Sequence, residues 1–142
     1  MKHAFTMIEL VFVIVVIGIL AGIAAPRLFA TRDDAIIAKA RSDIASIKSA
    51  VVNARNTNML RGQFTYPALE TASAGDKLFD NVLSGGIKKK ASGATSGWDK
   101  NGNNYTFTLA GQSVTFAYNQ TDGSFSCAND ANGKALCEQL SE

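Results

Sequence analysis

Few residues of this chain could do chemistry, and their positions narrow what that chemistry is. The single histidine is His3, so a His-dependent triad or a His zinc site has almost nothing to draw on. No nucleophile motif stands elsewhere, and the chain reads as a non-enzyme with no metal site. Two cysteines, Cys127 and Cys137, lie near the C-terminus in an Asn- and Gly-rich setting. Nothing flanks them at metal-ligand spacing, and paired cysteines there suggest a disulfide in an oxidising compartment. The loop between them has nine intervening residues, and closing it is worth about 3 kcal/mol in the chain-entropy model. The remaining anomaly is Glu9. It opens a run, Leu10 to Ala25, that holds no charge and only Gly18 and Gly22 as non-apolar interruptions. An acidic residue at mid-bilayer costs about 2.5–3.5 kcal/mol on insertion scales, so an acid kept in such a run demands a partner and points to function.

Three weaker signals have bland alternatives beside them. Lys88-Lys89-Lys90 is the only basic run. Without aromatic neighbours it reads better as a solvated loop than as a nucleic-acid contact. A formal charge of +2 on 142 residues is also too small to name nucleic acid or anionic lipid as a general partner. Asp99-Lys100-Asn101-Gly102-Asn103 and Asp130-Ala131-Asn132-Gly133 could offer oxygens to calcium. Neither has the ligand pattern of a calcium loop, and both read as plain turns, so no cofactor is expected.

The elements that position these residues follow from hydrophobic patterning. Phe5 to Ala25 is 21 residues, as a helix about 31 Å, which matches a hydrocarbon core of about 30 Å. A removed secretory signal is the competing reading, with Lys2-His3 as n-region, Leu10 to Leu20 as h-region and Gly22-x-Ala24 as cleavage site. Glu9 argues against it, and so does the helical pattern that continues beyond Pro26. There Ile37, Ala40, Ile44, Ile47, Val51 and Ala54 step by three and four, with Lys39, Arg41, Asp43, Lys48 and Arg55 opposite, giving one dry and one wet face. The simplest reading is one helix from about Thr6 to Asn58, kinked near Pro26. Its stripe is too short for a convincing coiled-coil seam and is better packed on a sheet.

Met59 to Asn104 reads as an irregular connection. Tyr66-Pro67 marks a turn, and Asp76 caps a short helix over Lys77 to Leu83, ended by Ser84-Gly85-Gly86. Tyr105, Phe107 and Leu109, then Val114, Phe116 and Tyr118, then Phe125 and Cys127 alternate as three antiparallel strands. Turns fall at Ala110-Gly111-Gln112 and Thr121-Asp122-Gly123. Lys134 to Leu140 supplies a final helical turn. The expected fold class is α+β: a long N-terminal hydrophobic then amphipathic helix packed on a small antiparallel β-sheet, with a C-terminal disulfide loop.

Ala4-Phe5-Thr6-Met7-Ile8-Glu9-Leu10, the apolar run with Gly18, and Pro26 together resemble the class III prepilin signature. Type IV pilins and the pseudopilins of type II secretion systems share that signature. The resemblance covers about the first thirty residues and is specific, because cleavage site, acid and span sit at fixed offsets. It implies that a prepilin peptidase cuts between Ala4 and Phe5 and methylates the new Phe5 amine. Ala4 departs from the usual glycine but is the next smallest residue, so the resemblance still implies processing there. The implied divisions are a leader over 1–4, a transmembrane and polymerising half-helix over 5–25, an amphipathic half-helix over 26–58 and a globular pilin-like head over 59–142.

The resemblance also supplies Glu9 with a partner. A free amine at Phe5, with a reference pKa of about 7.7–8.0, would be largely protonated. Paired with Glu9 of a neighbouring copy inside an apolar bundle, it would fix the axial register. The implied partners are copies of this chain and other pilin-like subunits in a filament, a prepilin peptidase, and an inner-membrane platform with its ATPase. Lys2 against Arg27 and Arg32 leaves the positive-inside rule nearly balanced. The cysteines and the resemblance place the N-terminus in the cytoplasm and the head outside the inner membrane. A type IV pilus, a type II secretion pseudopilus and a DNA-uptake filament all remain open, as does the status of major or minor subunit. Rival readings are a membrane-tethered binding module with an uncut anchor, and a secreted enzyme, which would hold no histidine after either cut.

Overall fold

A computed structural model describes residues 5–127 and 133–141, the side chains of 27–30 excepted. Helix α1, Met7–Leu60, is followed by strands β1 (Lys77–Leu78), β2 (Ile87–Lys88), β3 (Ser96–Asn101), β4 (Asn104–Leu109), β5 (Gln112–Tyr118) and β6 (Phe125–Cys127), and by helix α2, Lys134–Ser141. The chain divides into two compact units, Met1–Ala35 and Ile36–Glu142.

The first unit is helical wherever it is described beyond Thr6, and Pro26 lies inside α1 rather than at a helix boundary. Its apolar residues find no cover: every described side chain from Phe5 to Ala25 is exposed.

The second unit is an α+β, pilin-like head. Ala40, Ile44, Ile47 and Val51 of α1 are buried, and Ile37 packs half-buried beside them. They join one core with Phe107, Val114, Phe116 and Phe125 from the sheet, so the stripe packs on a sheet as the pattern predicts. The polar face is less wet than expected. Asp43 Oδ2 accepts a hydrogen bond from Trp98 Nε1 at 3.1 Å, and the Arg55 guanidinium stacks 4.1 Å from the Tyr66 ring centre. Lys39, Arg41 and Lys48 are exposed. The helix ends two residues later than the pattern suggests. Gly62, at φ 77°, carries the chain out of α1, with Gly62 N–H donating to Met59 O and Gln63 N–H to Asn58 O, a Schellman termination.

The main sheet runs β3-β4-β5-β6, all antiparallel. Strands β4, β5 and β6 stand where the alternation of apolar residues places them. In the β4–β5 turn Ala110 and Gly111 take φ 48° and 85°, the two positive angles of a tight primed hairpin. Strand β3 corrects the reading of Met59 to Asn104 as irregular. Gly97, Asp99 and Asn101 are poor strand formers, yet Trp98 is buried opposite Phe107, and that pairing recruits the segment to the sheet.

A second correction concerns Lys77 to Leu83. Only a single helical turn forms there, with Val82 N–H and Leu83 N–H both bonded to Phe79 O, while Lys77–Leu78 pairs as strand β1 with Ile87–Lys88. Leu78 and Phe79 are both wholly buried, and Phe79 stacks on Tyr105 at 4.5 Å and meets Trp98 and Phe125 edge-on. Core packing holds Phe79 at φ 60°, an angle no α-helix continues through, so a local capping signal loses to tertiary contacts.

Candidate functional site

The N-terminal start of α1 is the candidate site. Thr6 precedes the first helical residue, and Leu10 N–H donates to Thr6 O at 3.2 Å, the opening bond of the ladder. Thr6 and Glu9 then bond reciprocally. Glu9 N–H donates to Thr6 Oγ1 at 3.3 Å, while Thr6 N–H and Thr6 Oγ1–H donate to Glu9 Oε2 at 3.1 and 3.0 Å. This is a capping box, which satisfies donors that every helix start leaves open. A carboxylate there also faces the positive end of the helix dipole. Glu9 therefore has a partner within its own chain. The signal stands in the sequence as Thr6-x-x-Glu9, the spacing of a capping box.

Around this cap the surface is apolar. Phe5 is 81% exposed and Met7 83%, and the large side chains Ile8, Leu10 to Val16, Ile17, Ile19, Leu20 and Ile23 are exposed in turn. The helix is long and apolar enough to cross a membrane, with a mean hydropathy of 2.8 in its most apolar window. A helix apolar all round needs surroundings that supply apolar contact. Ala4, on the leader side of the expected cut, lies outside the described residues, so the site is visible from Phe5 onward.

The other sequence-marked residues sit in the head. Cys127 at the end of β6 and Cys137 in α2 form a disulfide with Cα atoms 6.0 Å apart, and Leu136, Cys137 and Leu140 turn the buried face of α2 inward. Lys88 lies in β2, and the main-chain N–H groups of Lys89 and Lys90 bond to Asp76 O and Trp98 O, so the basic run is ribbon rather than loop. Asp99 to Asn101 end strand β3, and Gly102-Asn103 is the hairpin turn into β4. The Asp130-Ala131-Asn132 candidate falls outside the described residues. Sequence reading missed one polar cluster. Lys100 Nζ pairs with Glu70 Oε2, Glu70 Oε1 is buried without a partner, and burial, with Glu70 beside it, pushes the Tyr105 hydroxyl pKa up.

Comparison with known proteins returns to the N-terminus. Residues 1–25 match the prokaryotic N-terminal methylation motif. Over 50 residues the chain is 40% identical to the type II secretion system core protein G of Pectobacterium carotovorum subsp. carotovorum. That match covers 35% of this chain and 32% of the relative, so the chain spans about a third of the length of the curated relative it resembles. No solved structure matches. The N-terminal apolar helix and the motif fit a single-pass inner-membrane anchor. The chain thus carries a prokaryotic N-terminal methylation motif and is similar over 50 residues to a type II secretion system core protein.

Proposed function

We propose that this pilin-like subunit is cut between Ala4 and Phe5, methylated on the Phe5 amine and polymerised into a filament. A type II secretion pseudopilus is the reading favoured over a type IV pilus or a DNA-uptake filament, because the relative carries that system's name. The observation that carries the proposal is the uncovered apolar surface from Phe5 to Ile23, interrupted by one ionisable residue, Glu9, inside the methylation motif. In the inner membrane, N-terminus in the cytoplasm and head on the far side, lipid covers that surface. In a filament the equivalent helices of other copies cover it, so extraction from lipid loses little apolar contact.

Glu9 sets the register in this scheme. Its Oε2 is engaged by Thr6, and the Phe5 ammonium of a neighbour adds the compensating charge within the bundle. A buried charge left alone is strongly unfavourable, about 3–5 kcal/mol when one partner is removed, so copies align where the pair forms. The partners are further copies, other pilin-like subunits, a prepilin peptidase, and an assembly platform with its ATPase.

Mass spectrometry of chain extracted from membranes tests the processing step. A chain that begins at methylated Phe5 is expected, and an intact Met1 would support a tethered module and end the proposal. Glu9→Ala then tests the register. Membrane insertion should persist while polymer yield falls, and unchanged polymer would remove Glu9 from the mechanism.

A further inference from the structure

Two exposed lysines face each other on the small ribbon of the head, and two half-buried ones follow. The register of β1 and β2 sets Lys77 directly opposite Lys88, with Lys89 and Lys90 next in sequence. Like charges facing each other across a ribbon destabilise it, and no carboxylate forms an ion pair with Lys77 or Lys88 among the described residues. Lys89 Nζ donates to a main-chain oxygen, Gly75 O, at 3.2 Å. Asp80, the neighbouring carboxylate, takes two hydrogen bonds from Thr71 and forms no ion pair among the described residues. Asp76 is exposed beside Lys77 and forms no ion pair among the described residues. The lysine that does form one there is Lys100, outside the ribbon.

The ribbon is a firm base for these charges. Leu78 within it and Phe79 directly after it are wholly buried. At Gly86, with φ 62°, an added Cβ would lie 2.8 Å from Leu78 O, so the two strands close tightly on each other. A destabilising cluster on a rigid support is a surface shaped for something outside the head.

The chain carries a complementary group in its other unit. Asp33 and Asp34 are consecutive carboxylates on α1, half-buried and exposed respectively, and neither forms an ion pair among the described residues. We propose that the Lys77, Lys88, Lys89 and Lys90 ribbon of one copy docks on Asp33 and Asp34 of a second copy. This rests on the proposed polymerisation. In a filament each copy meets others, and the acidic pair is the charge complement of the ribbon. Each exposed pair is weak and salt-screened, but the contact repeats at every copy and removes the repulsion between Lys77 and Lys88.

Charge reversal in the full chain, produced with a complete assembly system, tests the contact. Lys88→Glu and Asp34→Lys should each lower sheared-filament yield about fivefold, and more as salt is lowered, while the double variant restores it to within about twofold. Lys88→Glu should at the same time raise the melting temperature of the head, because it places opposite charges across the ribbon. Loss of filaments by that variant is therefore not loss of fold. Filaments at wild-type yield from Lys88→Glu overturn the docking, and so does a double variant no better than the singles. If Lys88→Glu filaments form normally but no longer retain duplex DNA, the ribbon is a nucleic-acid contact instead. A wild-type chain that is correctly cut yet never polymerises overturns the filament reading, and the docking falls with it.

Discussion

One helix, α1, serves two units of opposite character. In the head its apolar residues recur every three or four positions, and they are buried against the sheet, with Ile47 wholly so. From Phe5 to Ala25 apolar residues occupy every side of the helix and every one of them is exposed. Periodicity is what separates the two. A stripe states which face meets the chain's own core, whereas an unbroken apolar run asks for cover that the chain does not contain. Stability of the single chain therefore resides in Ile36–Glu142, and the apolar surface of Phe5 to Ile23 contributes only when lipid or other helices surround it.

Core truncation should expose this contrast most sharply. Phe79→Ala removes a ring that touches Trp98, Tyr105 and Phe125 and should cost about 3–5 kcal/mol in chemical denaturation of the detergent-solubilised chain. Ile14→Ala, in the exposed run, should leave the same transition within about 0.5 kcal/mol. Equal losses would mean that the first unit helps to hold the head.

Reduction of the Cys127–Cys137 bond, or Cys137→Ser, comes next, at about 3 kcal/mol for so short a loop, read as a fall in melting temperature. Gly123→Ala should follow. Gly123 sits at φ 74° with the Tyr66 ring where a Cβ would be, 2.1 Å away. The substitution should cost about 1–3 kcal/mol and weaken the stacking of Tyr66 on Arg55, visible in Tyr66 ring NMR shifts.

The smallest effect is a pH dependence. Two hydrogen bonds from Thr71 hold the Asp80 carboxyl below its usual pKa. A depressed native pKa gives stability that is present above the unfolded value and lost as pH falls through the native one. Wild type should thus lose slightly more stability than Thr71→Val between about pH 5 and pH 2, measured by melting temperature against pH. Parallel curves would show that Asp80 contributes nothing there.

What could be read from the residues alone follows the same division. Runs and alternations carry their own period, so the apolar span, the Ile44–Ile47–Val51 stripe and strands β4 to β6 were legible. Trp98 and Phe79 were not. The strand around Trp98 is built from Gly, Asp and Asn and exists because Phe107 pairs with it, and Phe79 adopts its angle because three rings surround it. At the site, Glu9 stood out by its charge, while Thr6 went unnoticed because a threonine before a helix is unremarkable until its hydroxyl is seen to bond.

That cap bears on the order of events at the membrane. Every atom in it belongs to residue 6 or beyond, so trimming the chain ahead of Phe5 would subtract nothing from it. Precursor and product would begin α1 with identical geometry, and proteolysis would alter electrostatics without refolding. The liberated ammonium would then lie one residue from the positive pole of α1, an unfavourable seat that Glu9 tempers from within the same turn. On the proposed processing, maturation would be a change of charge on a helix that is already built.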